Sequence, residues 1–347
     1  MRYKLLGKSG LRVSEICLGT MTFGDDWGWG ADKNESRVIF DAFLEAGGNF
    51  IDTANIYTNG SSEKMLGEFI QAERERIVLA TKYTSAMSLG VDPNAGGNQR
   101  KNMVQAVEAS LKRLKTDYID LLWMHVWDKV TPVEEVMHSF ETLVQQGKVL
   151  YIGISDAPAW WVAQANTLAG LRGWTQFVGL QIEYSLLERT PERELLPMAQ
   201  ELGLTVTAWS PLAGGVLTGK YLNQSEEAKD TRYASAEMQQ HMGDRDRGNR
   251  IAREIKVVAE ATGKPTAQVA LAWLRYRDNP IIPIIGTRKL TQLEDNLASL
   301  NVELDAEHLK RLDEVSHIEL GFPHDFYERE MVRNFVYAGL SHQIDHK

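Results

Sequence analysis

The sequence lacks the features that identify secreted and membrane proteins. It contains one cysteine, Cys17, so the chain cannot form an intramolecular disulfide, which favours a reducing compartment. No apolar signal core follows residues 1–4, and polar residues interrupt every apolar run well short of the roughly 18 residues that a transmembrane helix requires. These absences predict a cytoplasmic protein that has no membrane partner.

An excess of positive charge and a Rossmann fingerprint are also missing. The chain has 38 Lys and Arg against 47 Asp and Glu, which gives a formal net charge of -9. This balance argues against a nucleic-acid partner, although it is compatible with a local basic pocket for a phosphorylated cofactor. No GxGxxG motif follows the first predicted strand, so a Rossmann dinucleotide domain is excluded.

What the sequence does contain is a regular alternation of two kinds of segment. Short apolar, β-branched runs each precede a longer segment with helical spacing, and several runs are continuous enough for strands that are covered on both faces. The eight predicted strands span residues 13–20, 49–54, 77–82, 119–125, 151–156, 178–185, 204–211 and 281–287. This order predicts an α/β fold, a (β/α)8 TIM barrel, in which residues 1–347 form a single domain.

Three segments fall outside the alternation. Residues 3–13 contain a Ser9-Gly10 turn and predict an N-terminal β-hairpin. Residues 223–250 are polar without an apolar period and predict a long loop after strand seven, either a lid or a partly disordered segment. Residues 318–347 form a C-terminal tail. Among the helices, we predict 36–46 and 102–114, with further helices opened by Pro132 and Pro191.

Polar residues stand at the predicted carboxyl ends of consecutive strands, which is where barrel active sites lie. Asp52 and Tyr57 follow strand two, Lys82 ends strand three and His125 ends strand four. An ammonium group stabilises a phenolate and lowers the pKa of the phenol, and a carboxylate keeps that ammonium charged. A tyrosine supported in this way can protonate a carbonyl oxygen, while a neutral histidine holds that oxygen by a hydrogen bond.

Each of these residues also has a plainer interpretation. Asp52 is compatible with a loop cap, and His125 with a hydrogen-bonded core histidine. His125, Asp128 and Asp52 are an alternative set of metal ligands, but Lys82 would place a positive charge beside the metal, so we predict no metal site. Together, their order and their strand-end positions favour catalysis.

Several motifs, in one order along residues 1–320, resemble those of aldo-keto reductases. They are DTANIY at 52–57, ATK at 80–82, MH at 124–125, GISD at 153–156, QIEYS at 181–185, WSPL at 209–212 and IIGTR at 284–288. The stretch GISDAPAW at 153–160 is most similar to the aryl-alcohol dehydrogenase-like branch. The resemblance implies a reversible oxidoreductase that reduces a small aldehyde or ketone to an alcohol with NADPH.

The resemblance also implies a role for each matching residue. Tyr57 would be the general acid, tuned by Lys82 and Asp52, and His125 would orient the carbonyl. Ser155 and Gln181 would bind the nicotinamide carboxamide and Trp209 would stack on the ring. Ser210, Leu212 and Gly214 would lie along the pyrophosphate. The adenosine end would be held by Gly286, Thr287, Arg288, Gln292, Asp295 and Asn296, with Arg288 near the 2′-phosphate. The loop 223–250 would fold over the pyrophosphate as a lid.

One departure from the family pattern concerns the nicotinamide end. Many members carry Asn after the serine, and this chain carries Asp156. An ionised Asp accepts the carboxamide N–H but cannot donate to its carbonyl, and we hypothesise that its charge favours the oxidised, cationic ring. Trp27 and Trp127 are predicted to line an aromatic substrate pocket, with ordinary apolar packing as the alternative.

An alternative function belongs to another class. The β subunits of voltage-gated potassium channels resemble this family and bind NADPH on the same fold, so a regulatory subunit is the rival hypothesis. The sequence has no obvious inactivating extension before its first hairpin, which favours an enzyme. These motifs specify neither the substrate nor the oligomeric state.

Overall fold

A computed structural model describes residues 1–90, 92–222, 245–278 and 281–344. Two strands form an N-terminal antiparallel hairpin, β1 (Tyr3–Leu5) and β2 (Arg12–Ser14). Eight parallel strands then close a barrel in the order β10-β3-β4-β5-β6-β7-β8-β9. These are β3 (Cys17–Gly19), β4 (Phe50–Asp52), β5 (Val78–Tyr83), β6 (Ile119–Met124), β7 (Val149–Ser155), β8 (Phe177–Glu183), β9 (Thr205–Trp209) and β10 (Ile281–Gly286). The predicted TIM barrel and its hairpin are confirmed.

Helices connect the strands and surround the barrel. They are α1 (Lys33–Glu45), α2 (Ser61–Phe69), α3 (Arg100–Leu114), α4 (Val133–Gln145), α5 (Ala159–Arg172), α6 (Leu195–Leu202), α7 (Arg245–Thr262), α8 (Thr266–Trp273), α9 (Leu290–Ala298), α10 (Ala306–Ser316), α11 (His324–Tyr327) and α12 (Glu330–Val336). Among the described residues, no helix is both long enough and apolar enough to span a membrane.

Helix α1 illustrates how the sequence specifies its elements. The Asp32 side chain accepts hydrogen bonds from the backbone N–H groups of Asn34 and Glu35, so the helix begins three residues before the predicted start at 36. Ile39 and Phe43 lie on the buried face. The chain leaves the helix through Gly47, which has a φ of 84° that a side chain would disfavour.

The interior of the barrel is filled by side chains. Trp123 is fully buried, and a Cβ added at Gly153 or Gly179 would lie 2.3 Å or 2.8 Å from its ring. Glycine at these two positions therefore makes room for the indole. The hairpin joins the same apolar cluster through Leu6 and Val13. The interior of the barrel is consequently a packed core, so a ligand site has to lie among the loops at the end of the barrel.

Three sequence predictions need correction. Val13 and Ser14 belong to the hairpin rather than to the first barrel strand, because the Ser14 hydroxyl bonds to the backbone oxygen of Ile16 at 2.7 Å and turns the chain. Pro191 opens a 3-10 turn at Thr190–Glu192, and the helix begins later, at Leu195. Of the predicted loop 223–250, residues 223–244 lie outside the described part, whereas residues 245–250 form the first turns of α7, whose buried face begins at Gly248 against Val216.

Candidate active site

Lys82 lies at the centre of a buried cluster at the carboxyl ends of β4 and β5. Its ammonium group forms an ion pair with the carboxylate of Asp52. The same ammonium donates to the backbone oxygen of Thr53 at 2.8 Å and to the hydroxyl oxygen of Tyr57 at 3.0 Å. Residues from separate sequence motifs therefore meet within hydrogen-bonding distance, as their strand-end positions predict.

Both carboxylate oxygens of Asp52 are engaged. Oδ2 faces Lys82, and Oδ1 accepts a hydrogen bond from Nε2 of Gln181 at 3.0 Å. Asp52 and Lys82 are each nearly inaccessible to solvent. Removal of two charges from water is costly, so such a pair requires close geometry and satisfied partners. Gln181, near the carboxyl end of β8, thus connects the opposite wall of the barrel to the ion pair.

The surroundings shift the protonation equilibria of the cluster. Burial opposes the charge of Lys82, but Asp52 and Tyr57 outweigh it and raise the pKa of the ammonium above its usual value. The low-dielectric floor of the site raises the pKa of Tyr57 above 10.0, and the charge of Lys82 opposes that rise. As expected, the charge of Lys82 by itself lowers the pKa of the Tyr57 phenol. Desolvation raises that pKa by more, so the net shift is upward.

His125 is held in its neutral form beside the phenol. Burial, reinforced by the charge of Lys82, lowers its pKa from 6.5 to about 3. The rings of His125 and Tyr57 meet edge to face, with their centroids 6.0 Å apart. Within the described residues, the buried Nδ1 of His125 has no hydrogen-bond partner. The imidazole therefore stands at the site as a neutral, polar group.

A turn in the left-handed region positions Tyr57. Thr58, Asn59 and Gly60 have φ values of 46°, 52° and 86°. A β-branched residue rarely adopts this conformation, and Thr58 is held in it by donating from Oγ1 to the backbone oxygen of Phe23 at 2.7 Å. The same oxygen accepts from the backbone N–H of Ser62 at 3.1 Å, at the start of α2. The TNG triplet, which we did not single out from the sequence, is the signal for this turn.

The cluster opens into a cleft of about 960 Å³ on the carboxyl face of the barrel. The sequence-predicted residues that line it are Trp27, Asp52, Tyr57, His125, Ser155, Asp156, Gln181, Trp209, Ser210, Leu212, Gly214, Gly286, Arg288, Gln292, Asp295 and Asn296. Lys82 and Thr287 are buried behind the cleft wall. Trp127 is not among the lining residues, and its ring packs edge-on against Trp160 with centroids 5.6 Å apart. Its part in a substrate pocket stays a prediction.

Asp156 and Trp209 face each other across one side of the cleft. The indole Nε1 of Trp209 donates to Oδ1 of Asp156 at 3.1 Å. The carboxylate is open to the cleft, yet enclosure by the cleft walls raises its pKa, while the bond from Trp209 opposes the rise. Asp156 has a φ of 44°, a conformation that Asp and Asn tolerate better than most residues.

Two cationic side chains, Arg288 and Lys220, line the cleft. Arg288 follows β10, and its backbone N–H donates to Oε1 of Gln292 in α9 at 2.9 Å. Lys220 also lines the cleft, and its side chain covers Gly215, where an added Cβ would lie 2.4 Å from the lysine Cε. We did not identify Lys220 from the sequence, although the adjacent glycines at 214, 215 and 219 were a signal for close approach. A cleft lined by two cationic side chains suits a phosphorylated ligand.

Other residues that line the cleft are uncharged, and most of them belong to no motif that would identify them in the sequence. Thr22 is one example, and its hydroxyl donates to the backbone oxygen of Thr287 at 2.6 Å, which joins the β3 loop to the end of β10. The remaining lining residues of this kind are Gly19, Met21, Gly28, Gly215, Thr218 and Ala267. Pro211, Ile284 and Ile285, which also line the cleft, belong to the motifs at 209–212 and 284–288, and Trp29 stands beside Trp27 as a second aromatic of the expected pocket.

The alternative metal site is not assembled. Asp128 directs its carboxylate to the N-terminal side of α4 and to the loop before α3, where it accepts from the backbone N–H groups of Asn98 at 2.7 Å and Thr131 at 2.9 Å. Across the part of the chain that the structure describes, no group of three or more His, Cys, Asp or Glu side chains is placed to hold a metal ion. Asp128 is therefore a structural cap, separate from Asp52 and His125.

Comparison with known proteins agrees with this arrangement. A family model described as the aldo/keto reductase family matches residues 15–317. The chain belongs to this family. As an aldo/keto reductase it is an oxidoreductase of carbonyl compounds, and members of the family generally use NAD(P)H.

Curated relatives cover most of this aldo/keto reductase. A norsolorinic acid reductase of Emericella nidulans is 41% identical over 92% of this chain and 82% of its own. An aryl-alcohol dehydrogenase of Pestalotiopsis microspora is 37% identical over 94% of this chain and 85% of its own. An uncharacterized oxidoreductase of Bacillus subtilis is 40% identical over 91% and 96%. The resemblance to the aryl-alcohol dehydrogenase-like branch is thereby confirmed.

Proposed function

We propose that this protein reduces aldehydes or ketones to alcohols with NADPH, reversibly, and that Tyr57 delivers the proton. The observation that carries the proposal is the hydrogen bond between the Lys82 ammonium and the Tyr57 hydroxyl at the floor of the cleft. The bound cofactor would supply the hydride. The chain itself would supply the proton, the orientation of the carbonyl and the site for the cofactor.

Each residue of the buried cluster has a defined task in this proposal. Tyr57 holds its proton at neutral pH, because its pKa is raised above 10.0. When that proton passes to the substrate oxygen, the Lys82 ammonium at 3.0 Å stabilises the phenolate that remains. Asp52 keeps the ammonium charged and in place. His125, which is neutral, donates a hydrogen bond to the carbonyl oxygen and orients it toward Tyr57.

The cleft suits a phosphorylated dinucleotide. Ser155, Asp156 and Gln181 would bind its nicotinamide end beside Trp209, whereas Ser210, Leu212 and Gly214 would follow the pyrophosphate. The remaining predicted residues, Gly286, Thr287, Arg288, Gln292, Asp295 and Asn296, would hold the adenosine end. The guanidinium of Arg288 has no ion-pair partner among the described residues and favours a 2′-phosphate, hence NADPH over NADH.

The mouth of the cleft favours an aromatic carbonyl. Trp27 and Trp29 both line it, and their rings pack at a tilt with centroids 5.8 Å apart. Offset aromatic surfaces of this kind bind flat rings. A relative named as an aryl-alcohol dehydrogenase supports the same substrate class.

The test is the loss of reduced-cofactor absorbance with a panel of aromatic and aliphatic aldehydes, with NADPH and NADH run in parallel. We expect turnover with NADPH, and we expect Tyr57→Phe to retain NADPH binding while it loses most turnover. Tyr83→Phe is the matched control, because the Tyr83 hydroxyl bonds to the backbone oxygen of Asn98 away from the cleft. Turnover by Tyr57→Phe within a few-fold of wild type would refute the acid role. NADPH binding without turnover of any substrate would favour the regulatory-subunit alternative.

A further inference from the structure

Residues 317–344 are the last described segment, and we call this segment the arm. The arm follows α10, and its first part contacts residues between β8 and α6. There Arg193 donates to the backbone oxygen of Glu319 at 2.8 Å, and the His324 ring lies 3.3 Å from the carboxylate of Glu194. Farther along, the arm forms α11 and α12 and the turn that follows them. These polar contacts attach the first part of the arm to residues between β8 and α6.

The arm exposes large apolar side chains along its length. Phe322 is 84% exposed, Phe335 77% and Val336 68%. The other exposed apolar residues of the arm are Phe326, Tyr327, Met331, Leu340 and Ile344. Within α12, the exposed apolar residues occupy more than one side of the helix, a pattern typical of a helix that is enclosed rather than laid on a surface.

The apolar side chains of the arm together expose a large area. If a fully exposed aromatic side chain contributes about 200 Å², the arm exposes on the order of 1,000 Å² of apolar residues. The largest apolar patch of a typical monomer is roughly 300–600 Å². A stable interface buries about 800 Å² per partner, so the arm carries enough area for one side of a dimer.

We propose that two copies of this chain pair through their arms. The chain has a net charge of -9, so two copies repel one another wherever their general surfaces meet. The arm differs because it intersperses Glu328 and Glu330 with Arg329 and Arg333. Within one chain Arg333 lies 4.0 Å from Glu328 at the surface, an exposed pair that contributes little on its own. In a two-fold dimer the same segment faces itself in the opposite direction, so these charges would exchange partners between the two copies around the apolar centre.

The first experiment measures the mass of the full-length protein in solution by light scattering and sedimentation over a wide concentration range. We expect a dimer for the wild type. The double variant Phe322→Ser with Phe335→Ser removes aromatic contacts from both arms and should raise the dimer dissociation constant by about a hundredfold. The control variant Leu171→Ser with Val257→Ser changes exposed apolar residues on the barrel helices α5 and α7, and should remain dimeric.

A charge exchange tests whether the arms meet each other. Arg329→Glu with Arg333→Glu should weaken the dimer, as should Glu328→Arg with Glu330→Arg, whereas an equimolar mixture of the two variants should restore it. Circular dichroism verifies that each variant is folded. A wild type that is monomeric at all concentrations overturns the proposal, and so does a dimer that survives the phenylalanine changes. A mixture that stays monomeric beside a dimeric wild type shows that the arms do not pair with one another.

Discussion

Asp156 accepts a hydrogen bond from the indole nitrogen of Trp209 at 3.1 Å, across the side of the cleft that lies nearest to the buried Lys82 cluster. An asparagine oxygen would accept the same bond, so the carboxylate adds negative charge without adding a contact. Under the proposed function, this charge lies beside the nicotinamide ring, which is cationic in the oxidised cofactor and neutral in the reduced one. Replacement of Asp156 by asparagine would therefore remove the negative charge and keep the hydrogen bond from Trp209.

We predict that Asp156→Asn weakens binding of NADP⁺ relative to NADPH. Loss of about 1 kcal/mol of charge interaction at this open position corresponds to a change of about fivefold in the ratio of the two dissociation constants. Quenching of tryptophan fluorescence measures both constants. Asp156→Ala, which also removes the bond to Trp209, should weaken both cofactors. If the ratio is the same in Asp156→Asn and in wild type, the charge has no such role.

His125 predicts a pH dependence of stability. Its pKa is about 3 in the folded protein against 6.5 ordinarily, so between these values the unfolded chain binds a proton that the folded chain does not. The free energy of unfolding consequently falls as the pH falls through this window, by up to about 1.4 kcal/mol per pH unit from this residue.

The His125→Asn variant should lack this contribution. Urea unfolding of both proteins at neutral pH and at about pH 5 measures it, because the difference in slope isolates the histidine from the carboxylates that titrate in both. Parallel pH profiles for the two proteins would contradict the buried, neutral state of His125.

Loss of the Thr58 hydroxyl group should lower kcat without changing the affinity for the cofactor. Thr58→Val keeps the shape of the side chain but leaves the backbone oxygen of Phe23 and the N–H of Ser62 without their partner. We expect a loss of about 1–3 kcal/mol in stability and a lower kcat, because the turn that holds Tyr57 loosens. The dissociation constant for NADPH should not change. Thr58→Ser, which retains the hydroxyl, should recover kcat, and a failure to recover it would place the effect elsewhere.

Arg288 predicts the choice between the two nicotinamide cofactors. Arg288→Ala should weaken NADPH by at least about tenfold, as expected for one charge-assisted hydrogen bond, and should leave NADH nearly unchanged. Lys289→Ala is the matched control, since the neighbouring lysine is exposed and does not line the cleft. Titration of each protein with both cofactors measures the preference. Equal weakening of NADPH and NADH would assign Arg288 to a contact that both cofactors share.

The alternation of apolar runs and helical segments was sufficient to predict the barrel, since a parallel strand that is covered on both faces has a distinctive composition. Asp52, Lys82 and His125 were legible for a related reason, because each is a polar residue at the end of such a strand. The turn and proline signals in the sequence predicted the boundaries of strands and helices less accurately. The turn at Ser14 depends on a side-chain hydrogen bond, and the 3-10 turn that precedes α6 depends on backbone bonds from Glu192 to Arg189 and from Arg193 to Thr190, none of which periodicity reports.

The amino-acid sequence by itself determined the family, the barrel and the residues that gather at its carboxyl face, because strand order alone brings strand ends together. The tertiary structure decided what those residues experience. The neutral state of His125 and the raised pKa of Tyr57 arise from enclosure by distant segments. The bond between Asp156 and Trp209, the place of Lys220 and the exposure of the arm likewise depend on distances between parts of the chain that are far apart in sequence.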